Sequence, residues 1–302
     1  LQPEVILPFW TASFHITENS SWILEAGDLL NQCIGSGFAM RGQDAPFLGL
    51  YGACSTMAES LCMASAMLDG GFGEWAAALT SSHFCSAERQ YRTPLEYGGQ
   101  RTPTAQWTVT GSGCIILARD GNGPYVTHAT IGKIVDKGIK DANNMGAAMA
   151  PAAYETIKAH FQDTGRRPSQ YDLIVTGDLG KLGSEILFDL FHKDGMDLNN
   201  LTDCGTLIYD LEGQDVHCGG SGCGCSASVL CGTLLSRMER GELRRLLFCG
   251  TGALLSPLST QQGESIPAVC HAVVLERYRL MKVSPRKNMP ARFTHHPMVA
   301  AG

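Results

Sequence analysis

Long apolar runs are missing from this sequence of 302 residues. No stretch approaches the ~20 uninterrupted apolar residues of a membrane-spanning helix, and no secretory leader is evident. Charged residues account for only 17% of the chain and the net charge is -6, so the chain lacks the basic surface with which a general nucleic-acid binder neutralises phosphates. We therefore expect a globular protein without nucleic-acid partners, cytoplasmic or at most peripheral to a membrane.

Paired Cys-x-x-Cys motifs are also missing, although the chain contains 12 cysteines. Several cysteines lie within apolar runs, where a free thiol behaves as a small buried hydrophobe. A chain of this length does not need disulfides to hold its fold. Cys218, Cys223 and Cys225 cluster beside His217 but do not have the paired spacing of a zinc site. The pattern favours a reducing compartment and predicts no metal site.

Two short segments recur in the same order along the chain. Ala-Gly-Asp-Leu-Leu at 26–30 is matched by Thr-Gly-Asp-Leu-Gly at 176–180, and Gly-Ala-Cys-Ser at 52–55 is matched by Gly-Cys-Ser at 224–226. Recurrence in order indicates two copies of one α/β unit, with chance as the alternative for matches this short. Duplication predicts a ligand pocket between the copies, with Cys54 beside it.

Hydrophobic periodicity predicts strands that alternate with helices, which is typical of an α/β fold. In the first half we expect strands at 47–51, 75–80, 107–110, 114–117 and 125–130, a helix at 54–69 and a polar loop at 81–99. The strands at 107–110 and 114–117 are expected to pair, and the strand at 125–130 to complete this half. In the second half we expect helices at 147–163, 181–194 and 226–240, strands at 172–176, 206–209, 245–249 and 267–275, and a Gly-Thr-Gly loop after 249.

Cys54 is the strongest candidate for chemistry. It ends a predicted strand and begins a predicted helix, where backbone N–H groups and the helix dipole favour a thiolate or a nearby anion. Strand-to-helix turns of this kind present the nucleophile in several enzyme classes. Gly52, Ser55 and Thr56 make the turn tight and capped, which favours a site role over that of a buried structural thiol.

Several motifs resemble a known family. Gly-Ala-Cys-Ser-Thr-Met-Ala-Glu at 52–59 resembles the nucleophile turn of the thiolase superfamily, in particular the ketoacyl synthase III enzymes. Further segments resemble the stage V sporulation protein AD family: residues 94–100, 104–111, 143–153, 171–180 and 252–259. The resemblance runs from about residue 24 to 276. It implies a thiolase-like α/β fold of duplicated halves in five layers, αβαβα.

The resemblance divides the chain into four parts. Residues 1–23 do not resemble the start of the family and are interpreted as a divergent or truncated segment. Residues 24–135 and 136–276 correspond to the N-terminal and C-terminal thiolase-like halves, and residues 277–302 to a basic tail. Because thiolase relatives dimerise through the sheet that follows the nucleophile helix, the resemblance implies a homodimer with a contact near residues 75–80.

The chain departs from the catalytic pattern of its relatives. Condensing enzymes of this fold use Cys with His and Asn. When the family's pattern is placed on this sequence, the catalytic His corresponds to Gly177 or Asp178, with Lys181 nearby. The catalytic Asn corresponds to Cys223. Without an imidazole, a thiolate lacks its usual partner and the reaction lacks its oxyanion donors. No catalytic residue is therefore predicted.

The resemblance instead implies a sporulation protein that binds dipicolinic acid (pyridine-2,6-dicarboxylate) and supports its uptake, with calcium, into the spore. A planar aromatic dianion of this kind needs N–H donors or cations to bind its carboxylates and a flat apolar surface to contact its ring. The predicted ligand-binding residues are those at two helix N-termini and polar or aromatic side chains nearby: Cys54, Ser55, Thr56, His83, Trp107, Asp178, Lys181, Cys223, Cys225 and Ser226. No cofactor is expected, apart from calcium that accompanies dipicolinate.

Two alternatives stay open. One is an acyltransferase or ketoacyl synthase-like enzyme that uses Cys54 with Asp178 or Lys181 as a substitute partner. The other is a structural subunit that docks membrane partners. The resemblance implies membrane subunits of the same uptake machinery as partners, and a location in the cytoplasm or at the periphery of the spore inner membrane.

Overall fold

The structure is a computed structural model that describes residues 22–91, 101–121 and 123–277. The first half contains strands β1 (Trp22–Asp28), β2 (Phe47–Gly49), β3 (Trp75–Ser82), β4 (Trp107–Thr108) and β5 (Gly111–Ala118), and helices α1 (Ile34–Met40), α2 (Thr56–Asp69) and α3 (Phe84–Tyr91). Most of the predicted N-terminal segment, the motif at 94–100 and the basic tail beyond Arg277 lie outside the described residues.

The second half repeats this plan. Its strands are β6 (Tyr125–Thr130), β7 (Leu173–Thr176), β8 (Leu201–Asp203), β9 (Gly220–Ser221), β10 (Arg245–Ala253) and β11 (Ala268–Glu276). Its helices are α4 (Met145–Thr164), α5 (Gly180–Lys193), α6 (Cys204–Leu207), α7 (Cys223–Val229), α8 (Leu235–Glu239) and α9 (Pro257–Gln261). Within the described ranges, no helix combines the length and apolar character needed to cross a membrane.

The sheet topology confirms the duplication. The first sheet has the order β2-β1-β3-β5 and the second has the order β8-β7-β10-β11-β6. In each sheet the first three strands are parallel and the fourth is antiparallel to the third. Strands β1, β2, β3 and β5 therefore correspond to β7, β8, β10 and β11. The second sheet has a fifth strand, β6, for which the described residues show no counterpart beside β5.

Five layers stack in the order αβαβα, which confirms the predicted fold. Helix α2 packs against both sheets and against α7, so these two helices form the central layer. Its helical spacing is confirmed by Met57, Leu61, Ala64 and Leu68, which are all buried in the core between the sheets. Helices α4 and α5 cover the outer face of the second sheet. Helix α1 contributes Met40 to the outer face of the first sheet.

Pairing between distant strands corrects several local predictions. Strand β6 pairs with β11 and so belongs to the second sheet instead of completing the first half. Strand β4 pairs with β9, not with β5, through backbone bonds such as Trp107 N to Gly219 O at 2.8 Å. The segment after β3 that was predicted to be a loop contains helix α3. This helix buries Ala87 and Glu88.

Two further predictions are corrected in the second half. The segment predicted as a strand at 206–209 begins within helix α6, and the strand itself is β8, a few residues earlier. The predicted Gly-Thr-Gly loop at 250–252 lies inside β10. In the first sheet, strand β3 lies between β1 and β5 with both edges paired.

Candidate functional site

The turn at Cys54 is held by its own side chains. A 3-10 turn (Ala53–Ser55) leads into α2, and Ala53 has a φ of 50°, an uncommon conformation for a residue with a Cβ. The Ser55 hydroxyl donates to Gly52 O at 2.6 Å and the Thr56 hydroxyl donates to Ala53 O at 2.7 Å. Both hydroxyls therefore fix the turn that presents Cys54.

Two glycines of β10 allow this turn to pack against the second sheet. A Cβ on Gly252 would lie 2.2 Å from Gly52 O and 3.0 Å from Ser55 N, and one on Gly250 would lie 2.9 Å from Ser55 O. These contacts are with backbone atoms, which cannot rotate away as a side chain would. The glycines thus explain why the predicted loop is a strand that the Cys54 turn approaches closely.

Substitution of Gly252 by alanine is expected to push the Cys54 turn away from β10. The added methyl group would meet the backbone of Gly52, so we expect a loss of about 2 kcal/mol in the free energy of unfolding. Urea denaturation measures this loss. Gly263→Ala is a contrasting control, since a Cβ there meets nothing within 4 Å and only the positive φ of 76° opposes it. Equal losses in the two variants would contradict the proposed packing.

A second turn mirrors the first. Gly222 has a φ of 102° and directly precedes α7, just as Ala53 precedes Cys54. Helix α7 therefore begins at Cys223, not at Ser226 as predicted, and Cys223 is the structural counterpart of Cys54. The Cys223 thiol donates to Ser81 O at 3.1 Å. The repeat seen in the sequence is real, but its alignment at Cys225 is shifted by two residues.

Asp178 lies between the two turns and is fully buried. Its carboxylate accepts hydrogen bonds from Gly222 N at 2.8 Å, from the Thr251 hydroxyl at 2.9 Å and from the Ser221 hydroxyl at 3.2 Å. The Cys54 thiol lies near this carboxylate, and each group shifts the pKa of the other. Asp178 thus joins the Cys54 turn to the Gly222 turn across the boundary between the halves.

The electrostatics of this pair favour a neutral thiol. Burial raises the pKa of Cys54 well above its usual value, and the negative charge of Asp178 raises this pKa further. Burial also raises the pKa of Asp178, against the opposing effect of the Gly222 N–H and the hydroxyl donors. Because the thiolate is the nucleophilic form, the pair suppresses the reactivity for which Cys54 is otherwise well placed.

A small cavity of about 20 Å³ adjoins Cys54, with room for about one water molecule. Tyr91, the last residue of α3, forms part of its wall. The Tyr91 hydroxyl donates to Leu29 O and is also bonded to the Tyr51 hydroxyl. The lining is mainly apolar, with hydroxyls from Thr108 and Ser221: Leu29, Ala53, Cys54, Ala87, Tyr91, Thr108, Met145, Ser221, Ala253 and Leu255.

The structure brings together some of the residues predicted for ligand binding. Cys54, Asp178 and Cys223 meet at the boundary between the halves. Cys225 is buried in the core between the sheets, and the Ser226 hydroxyl donates to Cys223 O within α7. These two residues therefore lie behind the site, not on its surface.

The other predicted residues lie away from the cavity lining. His83 is exposed just before α3, and Lys181 is exposed in the first turn of α5. Trp107 stacks on Phe84 at 4.6 Å and under the Arg101 guanidinium at 4.2 Å. Among the described residues, no three His, Cys, Asp or Glu side chains are grouped so as to hold a metal ion.

Sequence reasoning missed Tyr91, Thr251 and Ser221. Tyr91 lies in a segment interpreted as a loop, although the amphipathic spacing of Phe84–Tyr91 was a usable signal for a helix. Ser221 and Thr251 come from strands β9 and β10, far apart in the sequence from Asp178. Only the folded arrangement brings their hydroxyls to one carboxylate.

Comparisons with known proteins agree with this architecture. Solved structures of low identity share the fold: 3-oxoacyl-[acyl-carrier-protein] synthase III from Aquifex aeolicus VF5 has a TM-score of 0.53 at 11% identity and covers 86% of this chain and 78% of that chain. The synthase III of Thermus thermophilus has a TM-score of 0.54 at 12% identity, covering 92% and 84%. OleA from Xanthomonas campestris has a TM-score of 0.54 at 13% identity, covering 86% and 73%.

Sequence comparisons show the family. Stage V sporulation protein AD from Bacillus subtilis (strain 168) is 48% identical over 264 residues, which cover 87% of this chain and 78% of that protein. The family model for stage V sporulation protein AD matches residues 11–276. The chain therefore belongs to the stage V sporulation protein AD family, a sporulation family with a thiolase-like fold.

Proposed function

We propose that this chain is a non-catalytic sporulation protein that binds dipicolinic acid at the Cys54 cavity and supports uptake of dipicolinate, with calcium, into the spore. Its family membership supports the sporulation role. The observation that carries the non-catalytic part is the buried carboxylate of Asp178 beside the buried Cys54 thiol. In a condensing enzyme that region needs a base that favours the thiolate, and this carboxylate does the opposite.

The lining of the cavity suits an aromatic diacid better than an acyl chain in transit. Leu29, Met145 and Leu255 offer apolar surface for a ring, and the hydroxyl of Thr108 offers a donor for a carboxylate, whereas the Ser221 hydroxyl already donates to Asp178. The backbone donors expected from α7 are already used, since Gly222 N bonds to Asp178 and Gly224 N bonds to Ser82. The Thr108 hydroxyl therefore takes the role that the sequence assigned to a helix N-terminus.

Ligand entry requires a movement of Tyr91. A cavity of about 20 Å³ is far smaller than a pyridine dicarboxylate. The side chain of Tyr91 forms one wall, and within the described part of the chain its hydroxyl is bonded to Leu29 O and to the hydroxyl of the half-exposed Tyr51. Rotation of Tyr91 would widen the cavity and bring its hydroxyl within reach of the ligand. Calcium is cargo in this proposal and would be coordinated by the ligand's own carboxylates.

Dipicolinate affinity is expected to fall as the pH rises. The raised pKa of Asp178 reflects the cost of a buried negative charge, and a bound dianion beside it would raise that pKa further. Binding is therefore coupled to uptake of a proton, so the affinity is highest at low pH and declines through the pKa of Asp178. Titrations over the range of pH in which the ligand carboxylates stay ionised measure the slope. An affinity independent of pH would contradict a ligand carboxylate beside Asp178.

Calorimetric titration of the protein with dipicolinate, with and without calcium, tests the proposed function. We expect saturable binding to the wild type and at least tenfold weaker binding to Cys54→Leu, whose larger side chain fills the cavity. Cys85→Leu is the matched control, because Cys85 is exposed and lies outside the cavity lining. No binding to the wild type, or equal binding to both variants, would overturn the proposal.

We also propose that the protein works at the periphery of the spore inner membrane with membrane subunits of the uptake machinery, as a homodimer. Family membership supports this role. Because β3 is interior, a dimer formed through the first sheet would have to use a different strand, such as β2, which pairs only with β1 among the described strands.

A further inference from the structure

Helix α3 lies over the Cys54 cavity as a short lid. Its eight residues, Phe84–Tyr91, contribute Ala87 and Tyr91 to the cavity wall. Ala87 belongs to one small buried cluster with Cys54 and Cys223, so the helix shares a core with both equivalent turns. An opening of α3 would therefore uncover Cys54.

The two ends of α3 are held differently. At its carboxyl end, next to Tyr91, the Gln90 side chain accepts a hydrogen bond from Asn31 N at 3.1 Å, and this bond is exposed to solvent. At its amino end, the Phe84 ring stacks on the Trp107 ring of β4 with 4.6 Å between their centres. Exposed hydrogen bonds open more readily than packed contacts. Opening is therefore expected to begin at the end that carries Tyr91.

A buried ion pair fixes the middle of the helix. Glu88 is 1% exposed, and its Oε2 lies 3.3 Å from Nη2 of Arg101. The same guanidinium lies over the Trp107 ring at 4.2 Å and over the Phe84 ring at 5.6 Å. Arg101 thus contacts the middle of α3, its first residue and the strand β4 against which the helix packs.

Arg101 also connects α3 to the backbone that presents Asp178. Its Nη1 donates to Gln106 O at 3.0 Å. The buried Gln106 side chain in turn donates from Nε2 to Asp178 O at 2.7 Å and to Gly220 O at 2.8 Å. Gly220 directly precedes Ser221, whose hydroxyl bonds to the Asp178 carboxylate. A continuous chain of polar contacts therefore runs from α3 to the buried carboxylate at the centre of the site.

We propose that Arg101 is a positioning residue that anchors helix α3 to the Asp178 region and so limits how often the Cys54 cavity opens to a ligand. Among the described residues, Glu88, Arg101 and Gln106 lie outside the cavity lining, so none of the three is expected to touch a ligand there. A buried ion pair adds little net stability, whereas a planar guanidinium holds several partners in one geometry. The inference rests on the proposed function for its ligand, dipicolinate, but the anchoring itself concerns the free protein.

Hydrogen exchange of α3 in the ligand-free protein, followed by mass spectrometry, tests this anchor. We expect residues 87–91 to exchange about tenfold faster in Arg101→Gln than in the wild type, because charge-assisted bonds at both ends of the guanidinium are lost. Amides of β10, which pairs on both sides, should stay protected and report that the fold is intact. Arg41→Gln is the matched control, since its exposed guanidinium also lies over an aromatic ring, that of Phe38 at 5.3 Å. Unchanged exchange of α3 in Arg101→Gln would overturn the proposal, and so would equal acceleration in the control.

A double-mutant cycle with Glu88→Gln separates the ion pair from general packing. If Arg101 acts through Glu88, the acceleration in the double variant should be smaller than the product of the two single effects, because either substitution alone already breaks the pair. Effects that multiply would show that the two residues act independently, which contradicts the anchor.

Binding kinetics distinguish an anchor from a ligand contact. Because Arg101 lies outside the cavity lining, its loss should speed entry and exit of a ligand alike. We expect the association and dissociation rates of dipicolinate to rise together in Arg101→Gln and its affinity to stay nearly unchanged. A loss of affinity carried by the dissociation rate alone would show that Arg101 holds the ligand, and would overturn the proposal. The exchange measurement needs no ligand, so it decides the anchoring role even if the protein does not bind dipicolinate.

Discussion

Replacement of Glu25 by leucine is expected to raise the free energy of unfolding by about 3 kcal/mol above pH 7. Glu25 lies in β1, is fully buried, and neither of its carboxyl oxygens has a hydrogen-bond partner among the described residues. Burial raises its pKa to about 7. A shift of this size from the usual value near 4.5 corresponds to about 3 kcal/mol once the carboxyl must ionise.

The pH dependence of the Glu25 effect has a definite sign. Below about pH 4.5 the carboxyl is protonated in both the folded and the unfolded chain, so it causes no loss of stability by ionisation. Between about pH 4.5 and 7 only the folded chain keeps the proton, so stability falls as the pH rises. Above about pH 7 Glu25 is ionised in the folded chain too, and the loss of stability caused by its burial reaches its full size.

Urea unfolding of the wild type and Glu25→Leu between about pH 5 and 8.5 measures this effect. The difference between the two proteins should grow through the interval and then level off. Burial also raises the pKa of Asp203 to about 7, so the stability of both proteins changes with pH through this residue. Because that change is the same in both proteins, it cancels when their free energies of unfolding are subtracted. Glu74→Leu, at an exposed glutamate, is the control. A difference that does not change with pH would contradict a buried, unpaired Glu25.

Replacement of Asp178 by asparagine is expected to make Cys54 more reactive. Burial raises the pKa of the thiol most, and the negative charge of the carboxylate raises it further. Asparagine keeps the size of the side chain and removes the charge, so the thiolate fraction at pH 8 should increase. A nearby charge of this kind changes the thiolate population on the order of tenfold. Alkylation of Cys54 by iodoacetamide, followed by peptide mass spectrometry, measures the change in rate.

Asp28→Asn is the matched control for this experiment. Asp28 is the counterpart of Asp178 in the first half, and it is likewise buried. It bonds to the backbone of Leu30 and Ser36 and contributes to the pKa of Cys33 and Cys223, but not to that of Cys54. Its substitution should leave the alkylation rate of Cys54 unchanged. An equal increase in both variants would indicate a general loosening of the fold instead of the removal of a charge.

The features that local sequence could predict were those made by neighbouring residues. The turn at Cys54 and helix α2 follow from glycine, hydroxyl caps and helical spacing within one short segment. The duplication was visible because Gly27-Asp28 ends β1 and Gly177-Asp178 directly follows the equivalent strand, β7. Each of these signals lies within the range over which side chains constrain their own backbone.

The features that sequence missed depend on distant partners. Strand β6 was assigned to the wrong sheet because its neighbour β11 lies far along the chain. Asp178 was expected to mark a lost catalytic position, but its function in the site comes from the hydroxyls of Ser221 and Thr251 and from Gly222 N. Tyr91 closes the cavity through a bond to Leu29 O, a contact that no local pattern specifies.

The central claim is that the protein binds a ligand and does not catalyse a reaction at Cys54. Incubation with acyl-CoA thioesters tests this claim most directly. The neutral, buried thiol beside Asp178 predicts an unchanged intact mass after prolonged incubation at neutral pH, while the same preparation binds dipicolinate. An acyl adduct located on Cys54 by peptide mass spectrometry would show a working nucleophile and contradict the account.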